Sequence, residues 1–168
     1  MTAEIRPLTG ADAGELVRLR REALEDAPFA FLASPSDDMA AREETVRAQL
    51  QRAPESIVFG AVCPGLVGMV GVYRAAQRKA AHKGMVWGMF VQPQWRRQRV
   101  GESLMRAAIG HARALGGIRS LQLSVSEAAP EAKHLYERLG FSVWGVEPEA
   151  MQVAGRFVAD YHMILRLT

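Results

Sequence analysis

Apolar residues recur at helical spacing in four stretches of the chain and alternate or run together in seven others. Residues 3–8 predict a short strand around Ile5, ended by Pro7. Thr9 or Asp12 then caps a helix to about Asp26, with Leu16, Leu19, Ala23 and Leu24 on one face, and Pro28 stops it. The apolar segment from Phe29 is broken by Pro35 and reads as a folded-in loop. Ser36 or Asp37 caps a second helix ending near Gln51. Residues 56–63 and 66–73 are β-rich runs separated by Pro64-Gly65, a hairpin signal, and a third run spans Met85–Val91.

Val100, Leu104, Ala108, Ala112 and Leu115 line one side of a third helix, closed by Gly116-Gly117. The run Leu121–Ser126 alternates, with Leu121, Leu123 and Val125 on one side and Gln122, Ser124 and Ser126 on the other. A short helix from about Pro130 to Leu139, a strand over 141–146 and a last strand over 157–167 complete the order β, α, α, β, β, β, α, β, α, β, β. That order predicts an α/β (α+β) fold, a mixed sheet flanked by helices on both faces. No composition break or linker divides the 168 residues, so they read as a single domain, 1–168.

Composition changes this picture little. Hydrophobic residues make up 49% and charged residues 23%, as in ordinary soluble domains, and no stretch has the length and apolarity of a membrane span. The N-terminus lacks a signal-peptide pattern, which gives a cytoplasmic expectation. Cys63 is the one cysteine, so an internal disulfide is excluded; in its apolar run it reads as a buried structural thiol. The four histidines show no ligand spacing, and no metal is expected. A net charge of +3 with one short basic cluster argues for a small anion as partner, with neither nucleic acid nor membrane.

That cluster carries the most chemical information. Val91-Gln-Pro-Gln-Trp-Arg96-Arg97-Gln98-Arg99-Val100-Gly101-Glu102-Ser103 reads as a strand end, a basic turn and the first turn of a helix. Backbone N–H groups left without partners there, the positive end of the helix dipole and guanidinium charge form a site for a phosphorylated anion. Downstream lies Leu135-Tyr136-Glu-Arg-Leu-Gly140-Phe141, and near the end Gly155-Arg-Phe-Val-Ala-Asp-Tyr-His-Met163.

These three motifs, in this order, resemble the GCN5-related N-acetyltransferase (GNAT) family along essentially the whole chain. The Arg/Gln-x-x-Gly-x-Gly/Ala signature falls on Arg96–Gly101, and Leu-Tyr-x-x-x-Gly-Phe on Leu135–Phe141. The resemblance implies the family's largely antiparallel sheet and an enzyme that transfers an acetyl group from acetyl-CoA to a primary amine of a small molecule or peptide. It places the diphosphate on the backbone from Arg97 to Glu102, with Arg96 and Gln98 beside it and Ser103 adding a hydroxyl. It places the pantetheine arm along Met89-Phe90-Val91, where a backbone N–H polarises the thioester carbonyl. Tyr136 becomes the general acid; on the residues alone it reads as a core aromatic.

Two positions depart from the family pattern. Arg99 stands where the first signature glycine is usual, and the expectation is that it keeps a helical or near-helical φ. Ala129 stands where an asparagine often contacts pantetheine, so a side-chain contact is lost. The general base stays open between Glu127, His82 and a water held by Ser124 or Ser126. Phe31, in the apolar loop, is the expected acceptor contact. An exposed final strand would pair across a homodimer. A non-catalytic acyl-CoA sensor is the competing function.

Overall fold

Valine-rich runs buried on both sides can only be interior strands, and they form the middle of the sheet. In the computed structural model, which describes residues 1–167, the strands are β1 (Glu4–Pro7), β2 (Ser56–Val62), β3 (Leu66–Arg74), β4 (Lys83–Val91), β5 (Ser120–Ser126), β6 (Ser142–Val153) and β7 (Arg156–Arg166). The helices are α1 (Ala13–Asp26), α2 (Glu43–Leu50), α3 (Val100–Leu115) and α4 (Pro130–Arg138). The seven strands form one sheet in the order β1-β2-β3-β4-β5-β7-β6. Every pairing is antiparallel except β4 with β5. Among the described residues no helix is long and apolar enough to cross a membrane.

Strand alternation divides the apolar side chains between two faces. On one face Val70, Val72, Leu121, Leu123 and Met163 meet Leu104, Met105, Ala108 and Ala112 of α3 and Tyr136 of α4. On the other, Val58, Met69 and Phe90 meet Leu16 and Leu19 of α1 and Val46 and Leu50 of α2. Each buried Val, Leu, Phe or Met among them contributes roughly 1.5–3 kcal/mol. Helices therefore cover both faces, as the element order predicts.

Four expectations are corrected. Helix α2 begins at Glu43, not at Ser36 or Asp37, because the Asp37 carboxylate is taken by the N–H and hydroxyl of Ser34 at 2.6 and 2.9 Å. Strand β6 runs on to Val153 through two register shifts, far past residue 146. The final strand is not an edge: β7 lies between β5 and β6, so any strand-paired homodimer would have to use β1 or β6. Cys63 is half-buried in the β2–β3 turn, where its N–H donates to the carbonyl of Gly65 at 2.8 Å.

What positions the site is the parting of β4 and β5. They pair only from Lys83 to Met85 against Ser120 to Gln122. Beyond that point β4 carries a bulge: Met69 and Gly71 of β3 face Phe90 and Trp87, so Gly88 and Met89 share a single partner position. Gly88 sits at φ +64°, where glycine supplies the turn a side chain would resist. The two strands splay and leave a cleft between their C-terminal ends.

Candidate active site

Two adjoining cavities, of about 570 and 850 Å³, open into this cleft. Ala30, Phe31, Met89, Ala129, Ala132 and Tyr136 line both, so they form the passage between them. The larger runs between the end of β4, the start of α3 and α4, past Phe90, Val91, Arg97, Arg99, Val100, Gly101 and Glu102. The smaller lies over the β4 bulge and the polar side of β5, and includes Arg20, Trp87, Ser124 and Ser126.

The candidate anion site is legible in the backbone. Among the described residues, no protein acceptor takes the N–H groups of Arg97 to Glu102; the first N–H of this turn to find one is that of Ser103, which donates to the Arg99 carbonyl at 3.0 Å. Of these residues Arg97, Arg99, Val100, Gly101 and Glu102 line the larger cavity, at the positive end of a 16-residue helix. Arg138 also lines it. Glu102 is held below the usual carboxylate range by its hydrogen bond from Arg106, with smaller contributions from Arg99 and Arg138.

Arg99 overturns the expectation of a helical φ. It adopts φ +61° and ψ 9°, and Arg97 adopts φ +62°. The chain keeps the left-handed backbone that a glycine would take more cheaply, because only that conformation brings consecutive N–H groups round to one concave side. Arg96 is a strut beside the cavity: its Nε donates to the Val91 carbonyl at 2.9 Å and its Nη2 to Asp26 at 2.6 Å, tying the turn to the end of α1. Gln98 donates to the Gln94 carbonyl at 2.9 Å on the surface. Neither Gln98 nor Ser103 lines either cavity.

Tyr136 lies in the passage, on α4, whose N-cap is Ala129. The residue is 6% exposed, with its ring edge-on to Phe141 at 6.0 Å. Its hydroxyl has no protein partner among the described residues, and burial pushes the phenol's pKa well above its ordinary value. Burial thus favours the neutral phenol, which keeps its O–H.

Of the candidate bases, two are placed elsewhere. Glu127 accepts the N–H of Ala159 at 2.8 Å, clamping β5 to β7, and lines neither cavity. His82 precedes β4 at the other end of the parallel pair, where its carbonyl accepts from Arg119. It lies six positions along the strand from Gly88, on the order of 20 Å. Ser124 and Ser126 do line the smaller cavity. Among the described residues no group of three or more His, Cys, Asp or Glu is placed to hold a metal ion.

Sequence reading missed Arg20 and Trp87. The signal for Arg20 was a cation on the apolar stripe of α1, four residues after Leu16 and three before Ala23. Trp87 lies flat over Gly71 of the neighbouring strand, where a Cβ would come within 2.1 Å of the indole. That absent side chain is what lets the ring floor the cavity. Its buried Nε1 has no partner among the described residues.

The donor set fits acetyl-CoA: free N–H groups and arginines for a diphosphate, a strand end beside an apolar channel for pantetheine, and a buried phenol where the channel meets the second cavity. The chain matches the Acetyltransferase (GNAT) family over residues 16–141. By structure it is similar to a GNAT-family acetyltransferase from Streptococcus pneumoniae, at 24% identity, 99% of each chain covered and a TM-score of 0.87. It is also similar to a GCN5-related N-acetyltransferase from Kribbella flavida (24% identity, 98% of each chain, TM-score 0.83). A third likeness is to a phosphinothricin acetyltransferase from Sinorhizobium meliloti in complex with acetyl-CoA, at 21% identity, 99% of this chain, 89% of that one and a TM-score of 0.83. No curated protein matches by sequence. The chain belongs to the GNAT acetyltransferase family, whose acyl donor is acetyl-CoA.

Proposed function

We propose that this protein transfers the acetyl group of acetyl-CoA to the primary amine of an acceptor by direct attack, with Tyr136 as general acid. Acetyl-CoA, when bound, supplies an acetyl thioester already activated toward amines. Residues Arg97 to Glu102 hold its diphosphate through main-chain N–H groups, and Met89 to Val91 hold the pantetheine arm along the strand end. The bulge at Gly88-Met89 turns backbone toward the cleft where the thioester carbonyl would be polarised. The acceptor enters by the smaller cavity, past Phe31, and the two meet in the passage. Holding them there supplies much of the acceleration.

Tyr136 donates its phenolic proton to the departing sulphur. The observation that carries this reading is Tyr136, a buried side chain in the wall shared by both cavities whose hydroxyl has no protein partner among the described residues. With Glu127 and His82 outside the cavities, a water held by Ser124 or Ser126 is the base this reading retains. Tyr136→Phe tests it. The substitution is expected to lower kcat by about 10²-fold or more while leaving the KM for acetyl-CoA within a few-fold, as measured by CoA release. An unchanged kcat would remove the phenol from the mechanism.

A non-catalytic acyl-CoA sensor is the second reading, favoured by Glu127 and His82 lining neither cavity. It gains if CoA binds and no amine raises thioester cleavage above background hydrolysis.

A further inference from the structure

Arg20 is a charge placed where packing alone would put a hydrocarbon. Its side chain is 12% exposed, and it projects from the apolar face of α1 into the smaller cavity. Its guanidinium lies 5.3 Å from the ring centroid of Phe31 and 5.9 Å from that of Trp87. On one edge, Nε and Nη2 donate to the two oxygens of Asp38 at 3.1 and 3.4 Å. That carboxylate is itself only 7% exposed, so the pair fixes the guanidinium plane.

The other end of the group is free. Among the described residues Nη1 has no hydrogen-bond partner, and it lies 3.6 Å from where a Cβ on Gly88 would stand. A half-used guanidinium is thus held between two aromatic rings beside the bulge that marks the reaction centre. Burying an Arg–Asp pair costs desolvation that an apolar pair would avoid. An open end facing a cavity gives that cost a use, because a planar N–H fork matches a carboxylate and repels a second cation.

We infer that Arg20 is an anchor for the acceptor, and that the acceptor is an amine bearing a carboxylate, as a free amino acid does. This rests on the acetyltransferase reading and narrows its substrate class. The carboxylate docks on the Nη1 end of Arg20, with the hydrocarbon part of the acceptor against Phe31 and Trp87. Its amine is left toward Ser124, Ser126 and the passage. Asp37, also on the cavity wall, is an anion whose Oδ1 accepts from the N–H and hydroxyl of Ser34. It leaves the Arg20 end as the anion-binding point of this cavity.

The test is a CoA-release assay on matched acceptor series: apolar amino acids, their carboxamides and the corresponding decarboxylated amines. A charge-assisted contact predicts that the wild-type enzyme favours the acid over its amide by about tenfold or more in kcat/KM, mostly through KM. Arg20→Lys, which keeps the charge but loses the fork, narrows that ratio. The paired Arg20→Gln/Asp38→Asn change, which leaves no lone buried charge, brings it close to one. Amides or decarboxylated amines used as well as the acids by the wild type would overturn the anchor and leave the acetyltransferase reading standing. So would an acid-to-amide ratio unmoved in both folded variants. No release above hydrolysis from any amine would overturn both.

Discussion

Two residues show what single side chains and dihedrals decide in this protein. Arg99 occupies a left-handed backbone at φ +61° that L-residues adopt at a cost of about 1–2 kcal/mol. Arg99→Gly relieves that strain but loosens the unfolded chain. The expected result in urea denaturation is a stability unchanged or raised by up to about 1 kcal/mol. Arg99→Val, β-branched at the same φ, is expected to lose about 1–3 kcal/mol. CoA affinity should fall only modestly in Arg99→Gly, since main-chain N–H groups do most of the holding. Asp12 makes the pH prediction. Its hydrogen bonds from Arg6, at 2.8 and 3.0 Å, hold its pKa at about 2, below the ordinary 3.8. A depressed carboxylate stabilises the fold above its unfolded pKa, and that contribution is lost as pH falls from about 4 through about 2. Allowing for solvent at this partly exposed pair, it amounts to about 1–2 kcal/mol. Asp12→Asn should flatten this part of the urea midpoint against pH.

At the scale of elements, the β4 strand does most to build the site. Its bulge, its early parting from β5 and the indole lying on β3 together open the smaller cavity. Gly71→Ala would drive a Cβ into the Trp87 ring at 2.1–2.6 Å. Overpacking of this kind is expected to cost about 1–3 kcal/mol. Because the ring must lift into the cavity, the KM for the acceptor should rise more than that for acetyl-CoA. Equal KM values for wild type and variant, with stability unchanged, would show that Trp87 does not floor the cavity. The start of α3 was readable from sequence, since the Val-x-Pro strand end and the basic turn name both its neighbours. The bulge was not: Gly88 is one glycine among fifteen, and its meaning comes from the register of β3 against β4. Nor was the position of β7, which follows from β6 turning back along the outside of the sheet.

Across the whole molecule, the site joins parts far apart in the chain. The loop at Phe31, the bulge at Gly88, the turn at Arg99 and the helix at Tyr136 meet in one cleft. A ligand that spans them should stabilise the folded chain as a unit. With CoA at about a hundredfold excess over its dissociation constant the expected gain is about 2.7 kcal/mol, read as a rise in Tm. Pantetheine without the phosphates, at the same concentration, should give much less. Equal shifts from both would mean that the amides of Arg97 to Glu102 are not the diphosphate site.

The sequence by itself determined the order of the elements, the two apolar faces, the basic turn before α3 and the place of Tyr136 in its motif. These depend on neighbours a few residues apart, through helical and strand periodicity, capping and the requirements of a turn. Tertiary structure alone decided that Glu127 clamps β5 to β7, that His82 sits at the far end of β4, and that Arg20 reaches the cleft with one end free. Those outcomes depend on which strands pair and where they part, and pairing joins residues whose separation in the chain carries no local signal.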